Sequence, residues 1–188
     1  MTYTRLHIES LAAEIEQHVA QAGWDQVPRL FAFASTAEIA AAEPAVAAQL
    51  GITSADAVSD QALTPIEQDE LPDGDIDAML AQIAWPDSVV GCALSHEIVF
   101  LPPEAEQGLT EHEIADTVAE HPQRREARLT VAVLRSGLTT SLLRLRPASQ
   151  ASAMFEDDTQ PGEPDTDDLL VGEELAPNLV AALLATFE

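Results

Sequence analysis

Apolar positions along the 188-residue chain recur first at helical and then at strand spacing. Over residues 5–22, Ile8, Leu11, Ile15, Val19 and Ala22 fall at three- and four-residue steps, with Glu9, Glu14, Glu16 and Gln17 off that stripe. This pattern predicts an amphipathic helix closed by Gly23. Trp24 and Asp25 lead into Val27–Ala34, where Leu30, Phe31 and Phe33 predict a buried strand. Ser35 and Glu38 have the spacing of a capping box for a helix over 36–50, bent or interrupted at Pro44. Residues 51–62 read as loop. Leu63–Leu71 suits either a helical turn around Thr64-Pro65-Ile66-Glu67 or a short edge strand, and the strand is preferred.

Ile76, Met79, Leu80 and Ile83 predict a second clear helix, with Asp73 and Asp75 at its dipole-favoured start. Val89–Leu101 is nearly continuous in apolar residues, as expected of a central strand covered on both faces. Thr110 with Glu113 predicts a helix running to about Glu120. Residues 126–146 read as a hairpin around Arg135-Ser136-Gly137. Its even positions carry Glu126, Arg128, Thr130, Leu142, Arg144 and Arg146, and its odd positions form a core surface of Leu129, Val131, Val133, Leu143 and Leu145. Residues 148–172 have no apolar period and read as a mobile acidic loop, and a helix follows from Pro177. The expected architecture is one α+β domain over 1–188, a mostly antiparallel sheet of about five strands flanked by helices, with a C-terminal hairpin and then a helix.

Composition narrows the partners. Apolar residues make up 46% of the chain, enough for a real core. There are 33 acids against eight arginines and no lysine, a formal net charge of −25. Such a chain repels nucleic-acid phosphates and anionic membrane surfaces. Missing lysine is equally explained by coding bias or a salty cytoplasm. The charge is unevenly placed: residues 1–120 hold 22 acids and two arginines, residues 121–148 one acid and six arginines, and the remainder ten acids and no arginine. Arg128, Arg144 and Arg146 should share one hairpin face, where guanidinium forks grip carboxylates of a ligand, a partner or the protein itself. The acidic segment near 150–168 is one such internal source. Cys92 is the only cysteine, so no internal disulfide forms, and the opening MTYTRLHIES has no apolar signal core. The cytoplasm is the default compartment.

Catalytic and metal signals are weak. Cys92 and His96 share strand parity but stand about 13 Å apart, too far for one zinc ion. Asp73-Gly74-Asp75-Ile76-Asp77 resembles the start of a calcium loop, yet Ala78 and Ala84 occupy the places that need glycine and glutamate. Ser95, His96 and Glu97 alternate across a strand and cannot form a relay together. No nucleophile elbow, phosphate loop or dinucleotide fingerprint is present. No cofactor, metal or catalytic residue is therefore expected.

Four stretches, GWDQVPRLFA (23–32), AQIAWPDSVVGCAL (81–94), AVLRSG (132–137) and PNLVAALLATFE (177–188), carry a resemblance to a family of small, acidic, uncharacterised actinobacterial proteins. The resemblance covers most of the chain and carries over no catalytic residue. It implies that Trp24 and Trp85 belong to the family core, with Pro86 and Asp87 in its most specific segment, and that the acidic stretch near 150–168 is a variable insertion. With the helix at 75–84 set aside, the element order is also similar to that of secretion chaperones, a likeness of fold alone. The function expected is a non-catalytic protein-binding module, adaptor- or chaperone-like, with a protein partner or a second copy. The alternative is a small-molecule enzyme or binder with a pocket near the arginine-bearing hairpin face. A third reading is an acidic decoy that imitates nucleic acid.

Overall fold

A computed structural model describes residues 3–49, 51–52, 62–69, 71, 74–102, 118, 121–147, 169–172 and 175–188. All but residue 118 of the helix expected at 110–120, most of the loop at 51–62 and residues 148–168 lie outside these.

The first helix, α1 (Arg5–Ala20), follows the expected stripe: Ile8, Leu11, Ile15 and Val19 are buried. At its start the His7 ring accepts the Thr4 backbone N–H at 3.1 Å, satisfying a donor that has no partner within the helix. It ends where Gly23, at φ 85°, adopts a left-handed conformation that side-chain-bearing residues avoid. Ala22 lies past the helix end and is exposed, so the stripe is one turn shorter than its period suggested.

Strand β1 (Arg29–Ser35) runs into α2 (Thr36–Ala42), whose first turn is capped by Ser35 Oγ accepting from the Glu38 N–H at 3.4 Å. Pro44 opens a separate short helix, α3 (Pro44–Gln49), so the helix expected over 36–50 is two pieces. The ambiguous stretch is a strand, β2 (Leu63–Glu67). It is followed by α4 (Ile76–Leu80), capped by Asp75 on the Ala78 N–H at 3.0 Å. Then come β3 (Val89–Phe100), β4 (Arg125–Leu134), β5 (Thr139–Leu145), β6 (Leu169–Gly172) and α5 (Pro177–Ala185).

The strands form one open sheet in the order β2-β1-β3-β4-β5-β6, and every neighbouring pair is antiparallel. Thus the fold is α+β, with six strands among the described residues. The sixth, β6, occupies the end of the stretch expected to be loop and pairs Val171 with Leu142 on β5. β3 is an interior strand and is apolar on both faces, as its composition requires.

Both faces of the sheet are covered. Phe31, Phe33, Ala93, Ala132, Leu134 and Leu142 pack beneath α1. Leu30, Cys92, Leu94, Val131, Val133 and Leu143 form the opposite core with α4, α5 and Trp85. The expected hairpin register holds, with Arg128 opposite Arg144 and Leu129 opposite Leu143. What parity alone did not reveal is that the even face, expected to carry the three arginines, lies under α1.

Candidate functional site

On that covered face, Glu97 of β3, Arg128 of β4 and Arg144 of β5 stand directly opposite one another in one cross-strand row. Facing like charges repel and destabilise a sheet. Glu16, from α1, answers the repulsion. Its carboxylate accepts from Arg144 Nε at 2.5 Å and Nη2 at 2.8 Å, and lies 3.8 Å from Arg128 Nη1. Glu16 and Arg128 are each 2% exposed, so both ions sit out of water. The forked geometry on Arg144 is the planar match that makes arginine suited to such a site. Sequence periodicity placed Glu16 on the polar side of α1, and the structure buries it.

The Gly23-Trp24-Asp25 turn is fastened to the same row. Arg128 donates through Nη2 to the Gly23 carbonyl, and its guanidinium lies 4.6 Å from the centre of the Trp24 ring. Arg146 lies 5.4 Å from the same ring, so Trp24 meets two cations. Asp25 has a left-handed backbone at φ 65°, and its two carboxylate oxygens accept from Arg146 at 2.9 Å each. This bond holds the Asp25 carboxyl below its usual range and pushes the Arg146 guanidinium up. Glu126 accepts a further bond from Arg146 at 2.6 Å. Glu97 accepts the backbone N–H groups of Asp25 and Gln26 at 3.0 and 3.2 Å.

The three arginines singled out by parity are therefore brought together, and each meets carboxylates of the protein's own body: Glu16, Asp25, Glu97 and Glu126. The acids come from α1, the turn after it, β3 and β4. The segment at 150–168, expected as a source, lies outside the described residues.

A fourth arginine, which sequence reasoning did not single out, makes a second junction. Arg135, in the β4–β5 turn, donates to the carbonyls of Val89 at 3.3 Å, Trp85 at 3.4 Å, Pro86 at 3.1 Å and Phe187 at 3.3 Å. Its guanidinium lies 4.7 Å from the centre of the Phe187 ring. Pro86 also accepts the Val89 N–H at 3.0 Å across a tight turn in which Asp87 is exposed. Trp85 is half-buried in the core on this side.

Two cavities adjoin these features. One, of about 450 Å³, lies between α1 and β5 against Trp24, Arg128 and Arg144. The other, of about 520 Å³, lies between α4, α5 and the sheet, lined by His96, Asp75 and Asp77. His96 Nε2 is buried with no hydrogen-bond partner among the described residues, and burial pushes the imidazole pKa down. Burial likewise pushes the Cys92 thiol up to about 12, which keeps it protonated and unreactive. Among the described residues, no three His, Cys, Asp or Glu side chains are grouped to hold a metal ion, and no helix is long and apolar enough to cross a membrane.

The fold and its internal charges define an acidic α+β protein with a six-stranded antiparallel sheet, helices on both faces and an arginine row under the first helix. Over residues 8–188 the chain matches the family described as PPA1309-like protein, and it belongs to that family. No curated protein and no solved structure matches it. Segments that carried the sequence resemblance meet in space: Arg135 joins AVLRSG to the Trp85-Pro86 turn and to the C-terminal Phe187, while the Gly23–Asp25 turn closes on Arg128 and Arg146.

Proposed function

We propose that the protein is a non-catalytic protein-binding module, adaptor- or chaperone-like, that takes an extended basic and apolar segment of a partner along the outer edge of β6. The observation that carries this reading is the edge itself. Among the described residues β6 is the last strand of the sheet, and its Leu170 and Val171 are 49% and 56% exposed. An edge strand offers a row of N–H and C=O groups to an added strand, with alternate side chains supplying specificity. In the sequence Asp167 and Asp168 precede it and Glu173 and Glu174 follow it, within a chain of net charge −25. Such a frame attracts cationic segments and repels nucleic acid, anionic membranes and a second copy of this chain. The arginines of the hairpin already meet internal carboxylates, which fits a partner recognised by this protein's acids. A single buried thiol suits the cytoplasm as the place of action.

Two synthetic peptides of about ten residues, alternating valine with lysine or valine with glutamate, test the reading by calorimetry. The lysine peptide is expected to bind and the glutamate peptide not to. The double substitution Leu170→Glu, Val171→Glu strengthens the acidic field while removing the apolar edge, and is expected to abolish binding. Unchanged or tighter binding by that variant would reduce the interaction to unspecific charge attraction and overturn the proposal. So would a stable dimer by light scattering that the same substitutions dissolve, since the edge would then serve a second copy.

A further inference from the structure

Arg128 is buried and yet short of acceptors. Apart from the Gly23 carbonyl, it faces carboxylate oxygens of Glu97 at 3.5 Å and Glu16 at 3.8 Å, and its Nε–H meets no acceptor among the described residues. A guanidinium carries five donors in a fixed fork, and a buried donor left unmatched loses its hydration without return. The cavity of about 450 Å³ lies against this residue. Its volume is in the range that small-molecule sites occupy. Trp24, Leu145 and Leu169 give it apolar walls, and Ala13, Glu16 and Ala20 on one face of α1 form another side.

Charge decides what class of molecule fits. Arg128, Arg144 and Arg146 are already set against Glu16, Asp25, Glu97 and Glu126, so the cluster carries one more anion than cations. A further anion is disfavoured by that excess and by the whole chain's −25, and a cation by the wall itself, which sets two guanidiniums against the single carboxylate of Glu16. An uncharged acceptor meets neither penalty. We infer that this cavity is a binding site for a small uncharged molecule with a flat apolar body and a carbonyl acceptor, an amide or lactam, whose oxygen accepts from the Arg128 guanidinium. The site is on the α1 face, where Leu169 of β6 forms part of its wall, whereas the partner segment proposed above lies along the outer edge of that strand.

The probes are 2-phenylacetamide, phenylacetate and 2-phenylethylamine, titrated into the full chain while the indole N–H signals of Trp24 and Trp85 are followed by nitrogen-15 correlation spectroscopy. The amide is expected to move the Trp24 signal saturably and leave that of Trp85 in place, with both charged probes at least about tenfold weaker. Ala20→Leu fills the cavity from α1 without touching a charge, and is expected to abolish the response while the protein still melts cooperatively. Ala13→Leu, on the same helix face, serves if Ala20→Leu does not fold. Arg128→Lys keeps the charge but loses the fork, and is expected to weaken amide binding by about tenfold. No saturable movement of Trp24 with the amide, or an undiminished response in the filled variant, overturns the site. Tighter binding of phenylacetate than of the amide overturns the assigned class.

Discussion

Glu16 stands where two guanidiniums on facing strands otherwise repel each other. Its burial comes from a tertiary cause, the pairing of Arg128 with Arg144, which no pattern along α1 contains. Helical periodicity sorts residues by polarity, so a buried carboxylate is assigned to the wrong side whenever its partner lies on a distant strand. Strand parity, by contrast, placed Arg128, Arg144 and Arg146 on one face from the sequence alone. Glu16→Gln leaves the buried guanidinium of Arg128 and the partly exposed one of Arg144 without their shared anion. It is expected to lower the unfolding free energy by about 3 kcal/mol, measured by urea denaturation. A loss below about 0.5 kcal/mol would show that the pair carries little stability. His96 supplies a pH test at the same scale. Burial lowers its pKa from 6.5, so below that pH the unfolded chain takes up a proton that the native imidazole refuses. Its contribution is therefore complete above pH 6.5 and falls away as the pH drops towards the lowered native value. His96→Gln is expected to gain stability relative to wild type between about pH 7.5 and 5.5, read from thermal melts. Parallel curves for the two proteins would contradict the burial effect.

Elements with a strong period were legible, and those that depend on a neighbour were not. The long apolar run of β3 announced an interior strand, and the hairpin register followed from its turn. β6 has only four residues beside an acidic stretch, too few to establish alternation, and it is a strand through pairing with β5. Within β3 the sequence reading passed over Gly91, whose role is steric. A Cβ there meets Leu134 Cδ2 at 2.5 Å, the Val133 carbonyl oxygen at 2.6 Å and Phe33 Cδ2 at 2.8 Å. Backbone cannot yield as a flexible side chain does, so Gly91→Ala is expected to destabilise by about 2 kcal/mol in chemical denaturation. An unchanged midpoint would mean that β3 and β4 separate easily.

For the whole molecule, the sign and size of the charge were legible but its addresses were not. Acids and arginines that neutralise each other sit in pairs across the described body: Arg5 with Glu9, Arg29 with Glu67, and the Arg128–Arg144–Arg146 row with its four carboxylates. The formal excess of 25 negative charges remains, and its self-repulsion opposes the compact state. Salt discriminates between these two populations. Raising ionic strength from about 10 to about 150 mM shortens the screening length from about 30 to about 8 Å, which weakens long-range repulsion while leaving buried pairs nearly intact. The melting temperature is therefore expected to rise over that interval, and the loss caused by Glu16→Gln to stay the same at both ends of it. A fall in melting temperature would mean that surface ion pairs outweigh self-repulsion. A Glu16→Gln effect that vanished in salt would mean that the pair beneath α1 is open to water, contrary to its burial.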